Sequence, residues 1–168
     1  LKNAISLLLT LIVVSSILDF IRKPNIPPEI NATALYDLQG NAFFLPQLDQ
    51  AKPTIIYFWG SWCGPCRASH PHLKELHKKY SGKVVFVNVA DENVKDLEQA
   101  KKLWKQAVKE DGMTWTQILN NEGKEEQDLL KLYNITSFPT KILIDPEGKV
   151  VARLVGATAD PEEFLKAL

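Results

Sequence analysis

Three patterns of apolar and polar residues follow one another along the chain. The first, Ala4 to Leu18 (AISLLLTLIVVSSIL), carries no charged residue and follows Lys2. A basic start before an apolar run is the pattern of a secretory signal or signal anchor, and it predicts export. Through Ile21 the run is interrupted only by Asp19 and falls a little short of the ~20 residues that span a bilayer comfortably. No A-x-A sequence marks a cleavage point and no cysteine follows to take a lipid, so an uncleaved anchor is favoured over a removed signal. Arg22 and Lys23 argue the other way, because basic residues after an apolar run favour a cytoplasmic domain. Residues 1–22 are therefore assigned as signal or anchor. Residues 23–33 are assigned as linker, since Lys23 to Pro28 (KPNIPP) is proline-rich and extended.

From residue 34 the second pattern, short runs rich in β-branched and aromatic residues, alternates with the third, amphipathic stretches. ALYDL and AFFL flank the turn Gln39-Gly40-Asn41 and predict a β-hairpin. Thr54 to Trp59 (TIIYFW) and Lys83 to Ala90 (KVVFVNVA) are apolar without alternation, as in strands covered on both faces. Between them, Ala68, Leu73, Leu76 and Tyr80 recur near the 3.6-residue period of a helix running from Cys63 to Tyr80, with a kink expected at Pro71. Strand, helix and strand in that order make a right-handed βαβ unit. A further amphipathic helix is predicted over Asn93 to Glu110, a short strand over Thr114 to Leu119, and a helix over Glu125 to Tyr133. Thr140 to Ile144 and Lys149 to Val155 read as a hairpin around Asp145-Pro146-Glu147-Gly148. Asp160-Pro161 starts a last helix, with an N-cap followed by proline. Residues 34–168 read as one α/β domain.

Composition narrows the function classes. With 168 residues, 45% of them hydrophobic, the chain suffices for one domain and a short appendage. Twenty basic and twenty acidic residues balance, so no large field draws it towards nucleic acid; a monomer is expected. The two cysteines, Cys63 and Cys66, are too close in sequence to staple distant parts of the fold. Their value is chemical. Placed after a buried strand at the start of a helix, Cys63 lies among unsatisfied backbone N–H groups that favour a thiolate, which makes it the nucleophile. Cys66, one turn in and covered, is suited to resolve the mixed disulfide that Cys63 forms with a substrate. Gly64 allows close approach of a substrate backbone, and Pro65 fixes φ where the helix begins. A zinc site would need about four ligands; only His70, His72 and His77 are near, and His70 and His72 face different sides of a helix. No metal and no cofactor beyond a redox-active Cys63–Cys66 disulfide is expected.

Trp62-Cys63-Gly64-Pro65-Cys66 after a strand, with Ser137-Phe138-Pro139-Thr140 before another, resembles the thioredoxin superfamily. The approach Phe58-Trp59-Gly60-Ser61, the hairpin at residues 37–41 and the extra helix are similar to TlpA/ResA-type, DsbE-like thiol–disulfide oxidoreductases, over about residues 30–168. The resemblance implies a thioredoxin-like α/β fold, a central mixed β-sheet flanked by helices with an N-terminal β-hairpin and an extra helix inserted in the βαβ region, and a cis peptide before Pro139, set against the cysteines. It gives Phe138 and Pro139 a part in docking substrate, since a cis X-Pro exposes the preceding backbone for β-type pairing. Trp62 is expected as an exposed aromatic contact beside them. The partners implied are protein disulfides or thiols, a membrane or soluble electron donor, and a membrane through the N-terminal segment. The compartment implied is periplasmic or on the outer face of the cytoplasmic membrane. Cytochrome c maturation, general disulfide repair and metal-centre assembly all suit the family.

Two positions depart from it. Thioredoxins carry a buried Asp where this chain has Tyr57, and TlpA/ResA-type proteins often carry a Glu where it has Ser69. Proton transfer to Cys66 must then use water, or Asp91 or Glu92, which otherwise read as solvated loop acids; His70 reads as a surface histidine, with electrostatic tuning of Cys66 as the alternative. Gly-Pro between the cysteines is the pair of reducing thioredoxins, so reduction of substrate disulfides is the leading reading. A disulfide oxidant of the same fold differs only in reduction potential. A peroxiredoxin-type peroxidase would need a Thr-x-x-Cys context, whereas Gly60-Ser61-Trp62 precede Cys63. A Cu(I) chaperone would use the thiols as soft ligands.

Overall fold

The computed structural model describes residues 35–39, 42–43 and 52–167. The signal, the linker and most of the flanks of the first hairpin lie outside the described residues. Strands β1 (Leu35–Tyr36) and β2 (Ala42–Phe43) pair antiparallel as the hairpin pattern predicts. The main sheet comprises β3 (Thr54–Trp59), β4 (Val85–Ala90), β5 (Thr116–Leu119), β6 (Thr140–Ile144) and β7 (Val150–Val155), in the order β5-β4-β3-β6-β7. β3, β4 and β5 run parallel, while β6 runs antiparallel to β3 and β7 antiparallel to β6.

Every residue of the central strand β3 is buried, because helices cover both faces of the sheet. Ile55, Tyr57 and Trp59 point to a core built with helices α1 (Gly64–Tyr80) and α2 (Leu97–Asp111). Ile56 and Phe58 point the other way, onto Leu129 of the single-turn helix α3 (Leu129–Leu132) and Tyr133. The last helix, α4 (Glu162–Lys166), adds Leu165 to the first core.

α1 buries Cys66, Ser69, His70, Leu73, Leu76 and Tyr80 along one stripe and runs unbroken through Pro71. Each fully covered leucine contributes on the order of 1.5–3 kcal/mol. Two helices are shorter than their periodicity predicts. α2 starts at Leu97 rather than Asn93, because the Asp96 side chain accepts the N–H of Gln99 and caps it there. Residues 121–126 form turns, and α3 begins only after Asp128, whose carboxylate accepts the N–H of Leu130.

Candidate active site

Cys63 is the N-cap of α1: its backbone is extended, with φ −88° and ψ 95°, and its Sγ accepts the N–H of Cys66 at 3.2 Å. A sulfur in that position sits at the positive end of a 17-residue helix, with Pro65 in the first turn and no acidic side chain there to oppose a thiolate. Cys63 and Cys66 are joined in a disulfide. Cys66 is fully buried and Cys63 retains 5% exposure, so the outer sulfur is the one a substrate can approach.

The loop before the cysteines is fixed at several points. The N–H of Cys63 donates to Gly60 O at 3.0 Å. The N–H and hydroxyl of Ser61 donate to the two carboxylate oxygens of Glu92 at 3.0 and 2.5 Å. Trp62, 52% exposed, donates its indole N–H to Asp91 O at 3.0 Å and packs edge-to-face on Phe138 with ring centroids 5.6 Å apart. The Phe138–Pro139 peptide is cis. Trp62, Phe138 and the exposed Gly64 and Pro65 thus gather around the cysteines. Beside Trp62, a cavity of about 400 Å³ opens between the loop and α2, floored by Val94, Leu103 and Ala107 and edged by Arg67 and Glu110.

The acids at the end of β4 are not solvated loop acids. Glu92 is 2% exposed, holding Ser61 while Asn121 grips its backbone, and Asp91 is bound by Lys124 and Asn120. Their place after a buried strand was legible, but the asparagine partners lie some thirty positions away and carry no signal in the sequence.

Beneath Cys66, the Tyr57 hydroxyl donates to Cys66 O at 3.0 Å. Burial pushes this phenol's pKa upward, partly offset by a hydrogen bond with Ser69, so it remains protonated. Ser69 donates to Pro65 O at 3.0 Å. Across the β3–β6 ladder from Tyr57 lies Lys141, 1% exposed, whose ammonium donates to Ala159 O at 2.8 Å. Burial lowers its pKa, and the nearby Asp160 charge opposes that.

His70 departs from its expected place. It is 1% exposed, not a surface residue, and its Nδ1 lies 2.7 Å from Asp111 at the end of α2. Burial of a neutral ring next to β3 outweighs solvation of a polar side chain because Asp111 supplies one partner. The ring packs edge-on against Tyr57 and Trp59. Arg67 also binds Asp111, at 2.7 and 3.0 Å. The place of His70 four residues after Cys66 on one helix was a usable signal; Asp111, far away in sequence, was not.

Among known proteins, the family of thioredoxin-like domains matches residues 47–168. A thioredoxin-like protein of Haemophilus influenzae is 53% identical over 97 residues, 58% of this chain; the match spans 58% of that protein's own length. The thiol-disulfide oxidoreductase ResA of Bacillus thuringiensis is 30% identical over 134 residues, covering 80% of this chain and 72% of the relative. The solved thioredoxin domain of a thiol-disulfide oxidoreductase from Bacteroides vulgatus superposes with a TM-score of 0.65 at 28% identity, over 79% of this chain and 92% of that one.

Proposed function

Since the chain belongs to the family of thioredoxin-like domains, close to the ResA-type thiol–disulfide oxidoreductases, we propose that it reduces protein disulfides outside the cytoplasm through a Cys63/Cys66 dithiol cycle. The observation that carries this is the placement of the pair: Cys63 caps a helix N-terminus and keeps 5% of its surface open, and Cys66 is sealed beneath it, already within disulfide reach. Cys63 thiolate attacks a substrate sulfur and releases one substrate thiolate. Cys66 then attacks Cys63, breaks the mixed disulfide and frees the second. Two electrons pass from the dithiol to the substrate, and an external dithiol donor restores the protein.

Trp62, Phe138, Pro139, Gly64 and Pro65 form the docking surface in this reading, an extended client segment pairing beside the cis peptide. The apolar Ala4 to Leu18 run supports delivery to the periplasmic side, with the segment retained as an anchor or removed. Among the described residues no helix is long and apolar enough to cross a membrane. Cytochrome c maturation is one client process that this placement suits.

Gly64-Pro65 between the cysteines favours the reducing direction. Equilibration of the full chain with glutathione tests it: a potential more negative than about −200 mV is expected, whereas a value near the roughly −120 mV of strong oxidants reverses the direction.

A further inference from the structure

The resolving step needs Cys66 to lose a proton in a fully buried place. Neither Tyr57 nor Ser69, the two side chains that bond the backbone around Cys66, carries a carboxylate. Tyr57 is a poor base because burial raises its pKa, and the Ser69 hydroxyl is committed to Pro65 O. Glu92 and Asp91 are engaged by Ser61, Lys124 and Asn120.

His70 differs from all of these. It lies one helical turn beyond Cys66 on the same buried stripe of α1, where side chains lean back towards the helix N-terminus and residues four apart are neighbours. Asp111 holds Nδ1 at 2.7 Å, which selects the tautomer with the proton on Nδ1 and leaves the lone pair on Nε2. Nε2 is buried and has no hydrogen-bond partner. A buried acceptor left without a donor costs about 1–3 kcal/mol, so its retention needs an explanation. The ring is wedged against Tyr57 and Trp59, with centroids 5.7 and 4.7 Å away, and Tyr57 itself reaches the backbone of Cys66.

We propose that His70, oriented by Asp111, is the group that takes the Cys66 proton during resolution and returns it when the disulfide is reduced again. The inference rests on the dithiol cycle proposed above. In the forward step the S–H proton of Cys66 passes to Nε2, the Cys66 thiolate forms the S–S bond to Cys63, and the bond to the substrate sulfur breaks with departure of a thiolate. The proton then leaves the imidazolium for solvent or for the departing thiolate. In the reverse step an external dithiol supplies two electrons and two protons; its attack releases Cys66 as a thiolate, and one of those protons reaches Cys66 through Nε2. The titratable and charged groups set around the ring are Asp111 from α2, Tyr57 from β3, and Arg67 and Lys74 from α1 itself. Burial holds the imidazole below its ordinary pKa, opposed by Asp111, so it is neutral and able to accept at neutral pH.

Stopped-flow reaction of the reduced full chain with dithionitrobenzoate separates the two thiols. The first thionitrobenzoate released reports attack by Cys63, and the second reports resolution by Cys66. In the wild type the second phase should level off at a pH below the ordinary thiol range. In His70→Phe it should fall about 100-fold at pH 7 and then rise tenfold per pH unit towards the ordinary thiol pKa of about 8.5, with the first phase unchanged. Asp111→Asn, which keeps the imidazole but removes its anionic partner, should move the inflection of the second phase to lower pH and slow it at pH 7. This second variant keeps the test open if His70→Phe does not fold. A purely structural His70 predicts either no change or the same ratio to wild type at every pH, and either result overturns the proposal. A wild-type chain that releases only one thionitrobenzoate instead overturns the dithiol cycle itself.

Discussion

Burial keeps the imidazoles of His70 and His77 below their ordinary pKa, the first opposed by Asp111 and the second packed between Phe86 and Trp115. Asp111 is also lowered: burial raises it, but hydrogen bonds from Arg67 and His70 outweigh that. In each case the unfolded chain takes up the proton at higher pH than the folded one. Stability is therefore present above the unfolded value and lost as pH falls through the folded one. The urea midpoint should begin to drop below about pH 6.5, the ordinary histidine value, and drop again below about pH 3.9, the ordinary aspartate value. His70→Phe should flatten the first decline, and a midpoint constant from pH 8 to pH 5 would contradict the histidine assignment. At this scale the sequence was uneven in what it disclosed. Cys63 and Cys66 were readable because spacing, strand end and helix start agree. His70 was misread because a polar side chain flanked by Ser69, Pro71 and His72 looks solvated until its distant partner, Asp111, is placed. Lys141 was hidden inside an apolar strand pattern for the same reason: the carbonyls of Gly156 and Ala159 that hold it come from a later segment.

The approach loop and α1 behave as one element, tied by Cys63 N–H to Gly60 O and by Ser61 to Glu92. Gly60 leaves no room for a side chain: a Cβ there would lie 2.5 Å from the Trp62 indole nitrogen and 2.8 Å from Asp91 O. Backbone oxygen cannot yield as a flexible side-chain end can. Gly60→Ala should therefore cost about 1–3 kcal/mol and shift Trp62, slowing the first exchange phase. Urea unfolding and that phase measured together check it; unchanged values in both would show that the loop is not held as described. Element types and order followed from periodicity, including the βαβ unit and the helix inserted before β5. The starts of α2 and α3 did not, because the caps Asp96 and Asp128 set them downstream of Asn93 and Glu125.

At the scale of the molecule, the five-stranded sheet presents β3 between two cores and delivers the cysteines at its end, with β6 bringing Pro139 alongside. The mixed sheet was legible from two apolar runs, a crossover helix and a terminal hairpin. Its strand order was not, since no local pattern says which edge a later hairpin joins. The export proposed above rests on the apolar run within residues 1–22, outside the described residues. The full chain expressed in a bacterium should be reached by protease added to the outer face of the cytoplasmic membrane; protection under conditions that digest a periplasmic marker would contradict that placement. The central claim, that Cys63 attacks and Cys66 resolves, is tested most directly by mass spectrometry of the single variants incubated with a disulfide-bonded protein. Cys66→Ser should accumulate a mixed disulfide through Cys63, and Cys63→Ser should form none. Loss of exchange in both variants without any trapped adduct, or trapping through Cys66, would contradict the account.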